Sequence, residues 1–323
     1  MTDAHTTRPT IATHSGSFHA DDVFGVAVLM GVYPEHTLIR TRNPALIEAA
    51  RFAVDVGGIW DAASGRFDHH QRGFDGVRPP RKADALRVGY ASAGLVWVAH
   101  GTDYVRSLSV GAGYTLDAPQ VAEIAEAIDH SLVQYLDMVD TGQSDVAPGL
   151  FGLSALIAQL NTHWMEEAGL APAAKAALQE SRFREAIAIT RAFLDRAIIK
   201  KIAQIRSMDI VRKAPTLLGG KVLHLQEGGM PWSRVVADEM PGVMLVIYPD
   251  SDGDQYQVKT VPVEPGSFTS RMDLPAAWSG LRDHDLAAVT GVADSVFCHS
   301  NLFIAGARSL EGAIALAALA LAA

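Results

Sequence analysis

The sequence has a single cysteine, few aromatic residues and no long apolar segment. Cys298 is the one cysteine among 323 residues, which excludes an intramolecular disulfide framework and a thiolate metal site, and which fits a reducing compartment. The first ten residues lack the apolar stretch of a secretory signal, and the longest apolar run, residues 312–323, is too short to span a bilayer. These absences predict a cytoplasmic protein with no membrane partner.

The charge balance is acidic, with 27 basic against 36 acidic residues and a net charge of -9. This balance argues against broad electrostatic attraction to nucleic acid, although it leaves room for a local site. A hydrophobic content of 49% excludes a disordered chain, and the length is sufficient for two domains. One basic cluster, which composition alone favours as a solvated loop, contains Arg72, Arg78, Arg81, Lys82 and Arg87.

Short apolar runs alternate with helical patterns in the first half of the chain, which predicts an α/β fold with a parallel sheet. The expected strands are residues 10–13, 37–40, 52–56 and 65–69, and the expected helices are 21–32, 92–100, 121–139 and 172–206. We expect a first domain over 1–206, including the long connector helix. A smaller α+β domain over 207–323 is expected to contain strands 222–225, 243–248, 255–261 and 295–298 and a final helix 310–321.

Histidines and aspartates follow several of these apolar runs. His14, His19 and Asp21 lie within eight residues at a strand-to-helix turn, where they can surround one metal ion. Asp55 is equally well explained as a cap of the next turn. Three adjacent metal-competent side chains, Asp68-His69-His70, are the strongest signal, and Asp140 alone is the weakest. Mixed sets of this kind bind divalent transition metals, and paired metals commonly cleave phosphoesters.

The segments HSGSFHADD, VDVGG, FDHHQRGF and DMVDTG resemble those of the DHH phosphoesterase superfamily, and more narrowly those of the melanocyte proliferating gene one family. Further matching segments are RTRNP, GGMPW, VPVEPGSFTSRMDLP and CHSNLFIAGARSLEGA. The resemblance runs nearly end to end. It implies a DHH-type parallel-sheet domain that carries two metals, followed by a smaller α+β DHHA-like domain that binds substrate.

The resemblance also implies individual roles. His14, His19 and Asp21 are expected to bind one metal, Asp55 to bridge, and His69 and Asp140 to bind the other. Asp68 is expected to support His69, and His70 to contact phosphate or to act as a general acid. The implied substrate contacts in the second domain are His299, Arg308, Gly306, Ser267 and Arg271. The mixture of nitrogen and oxygen ligands favours Mn²⁺, with Zn²⁺, Co²⁺, Fe²⁺ or Mg²⁺ as alternatives.

The expected activity is that of a metal-dependent phosphodiesterase, a 3'-5' exoribonuclease or oligoribonuclease that uses water activated by two metals. The expected partner is RNA or a short oligonucleotide, and homodimer formation is left open. One alternative is a small-molecule phosphohydrolase, such as a pyrophosphatase or a hydrolase of cyclic or short dinucleotides, and the acidic charge favours small substrates. Another alternative is a non-catalytic metal-binding protein.

Overall fold

The computed structural model describes residues 8–80, 87–143 and 152–323. The chain forms two compact units, Met1–Lys201 and Ile202–Ala323. The division between them lies within one long helix, Pro172–Lys213, as does the expected boundary after residue 206. Within the described ranges, no helix has both the length and the apolar character needed to cross a membrane.

The first unit begins with strands and ends with helices. Its strands are β1 (Thr10–Thr13), β2 (Thr37–Arg40), β3 (Phe52–Val54), β4 (Trp60–Asp61) and β5 (Arg66–Phe67). Its helices are α1 (Ala20–Val32), α2 (Pro44–Ala49), α3 (Ser92–Gly111), α4 (Ala118–Ile128), α5 (Gln134–Asp140), α6 (Leu153–Ala158), α7 (Trp164–Glu167) and most of α8 (Pro172–Lys213). A 3-10 turn, Ala62–Ser64, precedes β5, and a π-helical turn, Asp129–Val133, joins α4 to α5.

These strands form one sheet in the order β2-β1-β3-β5-β4, in which every pair is parallel except β5 with β4. The parallel α/β architecture expected for this half of the chain is therefore confirmed. β3 ends two residues before its expected end because Asp55 has a left-handed backbone, with φ of 55°. The carboxyl ends of β1, β3 and β5 consequently lie side by side at one edge.

Helices α1 and α3 pack closely against each other and beside this sheet. A Cβ atom at Gly25 would lie 2.7 Å from a Val54 methyl, and one at Gly31 would overlap the Tyr104 ring. Glycine at these positions allows two helix backbones to approach, and the contact places the amino terminus of α1 at the edge where the three strands end. α3 extends eleven residues beyond the expected helix, because Gly101 packs beneath the Trp97 ring instead of ending the helix.

The second unit contains a six-stranded sheet in the order β10-β11-β9-β8-β7-β6, antiparallel except for β7 with β8. Its strands are β6 (Thr216–Leu217), β7 (Val222–His224), β8 (Leu245–Pro249), β9 (Tyr256–Thr260), β10 (Ser295–Cys298) and β11 (Ile304–Ala307). Its helices are α9 (Ser233–Glu239), α10 (Asp283–Thr290) and α11 (Leu310–Ala322). The expected α+β character is confirmed.

Candidate metal centre

Three of the expected site segments follow three neighbouring strands. His14 follows β1, Asp55 follows β3, and Asp68 follows β5. Thr13 pairs with Val54, and Val54 pairs with Phe67, so the next residue of each strand lies in line at the same edge. Ligands of open parallel sheets bind beyond this edge.

The amino terminus of α1 faces the same edge. His19 is the N-cap residue, and its backbone N–H donates to Asp22 Oδ1 at 2.8 Å, so that Asp22 completes a capping box. Asp21 and Asp22 occupy the first turn, where the helix dipole favours negative charge. Both aspartates are buried, with relative exposures of 1% and 0%.

Asp55 lies at the middle of the cluster. Its Oδ2 is 3.3 Å from His14 Nε2, and its Oδ1 is 3.6 Å from His69 Nε2 and 3.2 Å from His70 Nδ1. Burial favours the neutral form of this carboxyl, but hydrogen bonds to His14 and His70 hold its pKa well below the usual range. The strained backbone at Asp55 thus turns one carboxylate towards three imidazoles.

Asp21 lies with the residues expected at the second metal. Three carboxylates surround His69 Nε2, at 3.2 Å from Asp140 Oδ2, 3.6 Å from Asp55 Oδ1 and 3.8 Å from Asp21 Oδ2. The expected placement of Asp21 with His14 therefore needs correction. His14 Nε2 instead lies 3.3 Å from Asp22 Oδ2 as well as from Asp55.

Asp68 supports His70 and not His69, which corrects the expected partner. Its Oδ1 accepts hydrogen bonds from the His70 backbone N–H at 3.0 Å and from His70 Nδ1 at 2.9 Å. Its Oδ2 accepts from Gly58 N–H at 2.6 Å, which fixes the loop after β3. The His70 ring is 63% exposed, and its bonds to Asp55 and Asp68 raise its pKa to about 9 against the opposing effect of partial burial.

The cluster contains more buried charge than its own groups can balance. Both oxygens of Asp21, Oδ2 of Asp22 and Nε2 of His69 are buried without a hydrogen-bond partner. Burial and the neighbouring Asp55 and Asp140 carboxylates raise the pKa of Asp21 well above its usual value. Burial also raises the pKa of Asp22 to about 7, although the His14 charge lowers it in part. Unpaired buried carboxylates of this kind are stabilised by bound cations.

The donor atoms are close enough to bind such cations. Three groups of side chains each have ligand atoms within 4.8 Å of one another. The groups are His14 with His19 and Asp55, Asp55 with His69 and His70, and His19 with Asp21 and Asp140. All six residues expected as ligands occur in these groups, and their imidazole nitrogens and carboxylate oxygens suit a divalent transition metal.

Two clefts open onto the cluster. The larger, about 740 Å³, has polar walls that include Ser15, Ser17 and Arg42 as well as His14 and His70. The smaller, about 380 Å³, lies between the two helical segments that contain Leu136 and Ala155 and reaches His19, Asp21 and Asp140. Arg42 Nη2 is 3.3 Å from His14 Nδ1, so the RTRNP segment contributes a cation beside the first imidazole.

Asp137 and Arg78 form a buried support that the sequence patterns did not identify. Arg78, expected in a solvated loop, is only 8% exposed. Its Nε donates to Asp137 at 2.7 Å and its Nη1 to Asp129 at 2.6 Å, while Gly94 N–H donates to Asp137 at 2.9 Å. This network connects the segment after Asp68-His69-His70 to the helix that contains Asp140. Two other members of the basic cluster, Arg81 and Lys82, lie outside the described residues.

The expected substrate residues of the second unit do not form one site. Arg271 donates four hydrogen bonds, at 2.8 to 3.2 Å, to the carbonyls of Met240, Val243, Val236 and Ala237, so it stabilises the end of α9. Gly306 lies within β11, where a Cβ would come within 2.7 Å of the Phe297 ring, so its absent side chain accommodates packing. Both expected roles in substrate contact are replaced by structural ones.

The remaining three residues are separated along the β10–β11 hairpin. His299 lies in the turn that joins the two strands, whereas Arg308 follows the far end of β11, one strand length away, and is 3.5 Å from Asp283. Ser267 lies in the loop after β9 and lines a cavity of this unit. His299 and Arg308 therefore do not converge on one phosphate.

Comparison with known proteins identifies the family. The sequence model of the MYG1 exonuclease family, described as Uncharacterised protein family (UPF0160), matches residues 10–321. The chain belongs to this family. The MYG1 protein of Caenorhabditis elegans is 32% identical over 96% of this chain and 94% of its own length. The MYG1 exonuclease of Homo sapiens is 32% identical over 97% of this chain and 86% of its own length. The family expected from the motifs is thus confirmed.

Two solved structures of RecJ from Thermus thermophilus, in complex with Mn²⁺ and with Mg²⁺, were also found. Each alignment covers 97% of this chain but about half of the RecJ chain, 51% and 49%. Their sequence identities are 17% and 14%, and their TM-scores are 0.26 and 0.27. TM-scores this low do not establish a shared fold, so the family assignment rests on the sequence matches.

Proposed function

We propose that the protein is a metal-dependent phosphodiesterase that degrades RNA or short oligonucleotides from the 3' end. The observation that carries this proposal is the cluster of unpaired buried carboxylates facing imidazoles where β1, β3 and β5 end. The relatives named MYG1 exonuclease, which match 97% of the chain, support a nuclease over other hydrolases.

The distances favour a specific division of the ligands between two cations. We assign His14, His19 and Asp55 to the first cation, because their ligand atoms lie within 4.8 Å of one another. We assign Asp21, Asp55, His69 and Asp140 to the second, because all three carboxylates lie within 3.8 Å of His69 Nε2. Asp55 is then shared. Divalent ions bound here, Mn²⁺ in our proposal, supply a lowered water pKa and a positive charge opposite the phosphoryl oxygens.

His70 acts on the substrate and not as a ligand in this scheme. Its Nδ1 is held by Asp55 and Asp68, so Nε2 is the nitrogen available to a substrate. With Nδ1 fixed, the ring can donate a proton from Nε2 to the leaving oxygen or hydrogen-bond to a phosphoryl oxygen. Asp68 positions that ring, and the Gly58 N–H in turn fixes Asp68.

The proposal is tested by degradation of labelled single-stranded RNA with Mn²⁺ present. We expect progressive loss of nucleotides from the 3' end and complete inhibition by a chelator. His69→Ala should abolish turnover, because it removes the group that three carboxylates surround. The matched control is His284→Ala, since His284 lies in the second unit with a side chain that is 95% exposed. Metal-dependent turnover by the His69→Ala protein would refute the proposed centre.

A small-molecule phosphohydrolase is the second candidate. The acidic net charge disfavours long polyanions, and a polar cleft of about 740 Å³ accommodates a short substrate. Pyrophosphate and dinucleotides tested beside RNA distinguish the two. Rapid turnover of a dinucleotide with an intact RNA 3' end would favour this second function, and metal binding without any turnover would favour a non-catalytic role.

A further inference from the structure

The second unit contains a cavity of about 530 Å³ that is independent of the metal cluster. Volumes of this size are typical of small-ligand sites. Aromatic rings, hydroxyls, an amide and one ammonium group line it. The lining residues used below are Trp232, Lys259, Ser270, Asn301, Phe268 and Phe303.

The cavity selects for negative charge although the chain as a whole is acidic. Among the described residues that line it, Lys259 is the one charged group, and no carboxylate is present. Lys259 Nζ lies 6.0 Å from the centre of the Phe303 ring, so the ammonium group stands beside an aromatic surface. A ligand that combines an aromatic ring with a nearby anionic group matches this pair.

Phe268 is displayed at the rim of the cavity by an ordered loop. Its relative exposure is 105%, whereas large apolar side chains in a described core normally avoid such exposure. The loop is closed by Val263 N–H donating to the Thr269 carbonyl at 2.9 Å and by Thr269 N–H donating to Ser267 Oγ at 3.0 Å. At its base, Thr260 Oγ1 and Ser270 Oγ are 2.7 Å apart. The backbone therefore holds the phenyl ring in solvent without a packing partner.

We propose that this cavity binds a base of single-stranded polynucleotide, which stacks on Phe268 and Phe303 while Lys259 contacts the adjacent phosphate. Asn301 provides an amide that can pair with the edge of the base, and the buried Trp232 forms the cavity wall. Aromatic platforms beside a basic residue bind single strands with little sequence preference. The choice of polynucleotide rests on the proposed nuclease function, but the stacking site does not require hydrolysis.

Binding is measured with a single-stranded oligoribonucleotide that contains 2-aminopurine, whose fluorescence is quenched when the base stacks. The full chain with His69→Ala is used without added metal, so that the probe is not cleaved. We expect quenching on binding. Phe268→Ala should weaken binding roughly 5- to 100-fold and remove most of the quenching, whereas Phe268→Trp should retain both. Lys259→Gln should reduce the salt dependence by about one phosphate contact.

Phe193→Ala is the matched control, because it removes a ring that is 57% exposed on a helix of the first unit. Its affinity and quenching should equal those of the parent protein. Equal binding and quenching by Phe268→Ala, or absence of quenching in the parent, would overturn the inference. Such a failure is distinguishable from failure of the proposed function, which would appear as absence of metal-dependent turnover in the separate hydrolysis assay.

Discussion

Asp21→Asn is expected to stabilise the metal-free protein and to abolish its stabilisation by metal. Asp21 is buried, both of its oxygens lack partners, and burial together with the Asp55 and Asp140 carboxylates raises its pKa well above the usual value. An asparagine has nearly the same volume, carries no charge and can donate to those carboxylates. A buried polar group without partners costs about 1–3 kcal/mol, and more when charged.

The sign of the pH dependence follows from the same shift. Between its unfolded and folded pKa values, Asp21 binds a proton in the native state but not in the unfolded state. The stability of the metal-free wild type therefore falls as pH rises through that window. Asp21→Asn removes this contribution, so its advantage of about 1–3 kcal/mol should be largest near about pH 8.5 and should shrink on acidification.

Urea unfolding with and without Mn²⁺ measures both effects. A metal at about 100 times its dissociation constant adds about 2.7 kcal/mol to the wild type, and Asp21→Asn should lose most of this gain. The matched control is Asp137→Asn, a buried aspartate that is paired with Arg78 and the Gly94 N–H. That substitution should destabilise the protein whether or not metal is present. If Asp21→Asn destabilises the metal-free protein as Asp137→Asn does, the reasoning about unbalanced charge is refuted.

Two further predictions concern the protons of the site and its support. Because the pKa of Asp21 is raised and that of Asp22 is raised to about 7, metal binding near neutral pH should release protons, and affinity should increase with pH. Calorimetry in buffers of different ionisation enthalpy measures the release, and buffer-independent heats would contradict it. Gly94→Ala should destabilise α3 by about 1–3 kcal/mol despite the better helix propensity of alanine, because its Cβ would overlap Asp137 Oδ2 and lie 2.8 Å from Arg78 Nη2. Gly111→Ala in the same helix meets no atom within 4 Å and should not destabilise; equal urea midpoints for the two variants would contradict the account.

The sequence allowed prediction of those elements whose local pattern and tertiary environment agree. Strands β1, β2 and β10 have the expected bounds, because each is a short apolar or β-branched run that becomes a sheet strand. β11 (IAGA) was not predicted, since alanine and glycine do not favour strands locally. It forms because it lies between β10 and β9, with the Phe297 ring covering Gly306.

Side-chain partners could be predicted less well than positions. Asp137 and Asp140 were expected to share a helix face, yet Asp137 pairs with the buried Arg78 whereas Asp140 faces His69. The π-helical turn Asp129–Val133 interrupts a segment that has a continuous helical pattern, and its Asp129 also binds Arg78. No spacing rule links Arg78 to Asp137, because 59 residues separate them in the sequence. Such long-range pairs are determined by packing.

The spacing of the cluster follows from the sheet. Neighbouring strands lie about 4.8 Å apart, so residues that follow paired positions in adjacent parallel strands begin at nearly that separation. His14, Asp55 and Asp68 are such residues, since each comes directly after a residue in the Thr13–Val54–Phe67 row. Two metals bound to shared carboxylates are about 3.5–4 Å apart, close to the strand spacing. Only the middle strand must leave the extended conformation to share its carboxylate, and Asp55 is the residue that has the left-handed φ of 55°. The backbone strain therefore lies at the one position where a bridging ligand requires it.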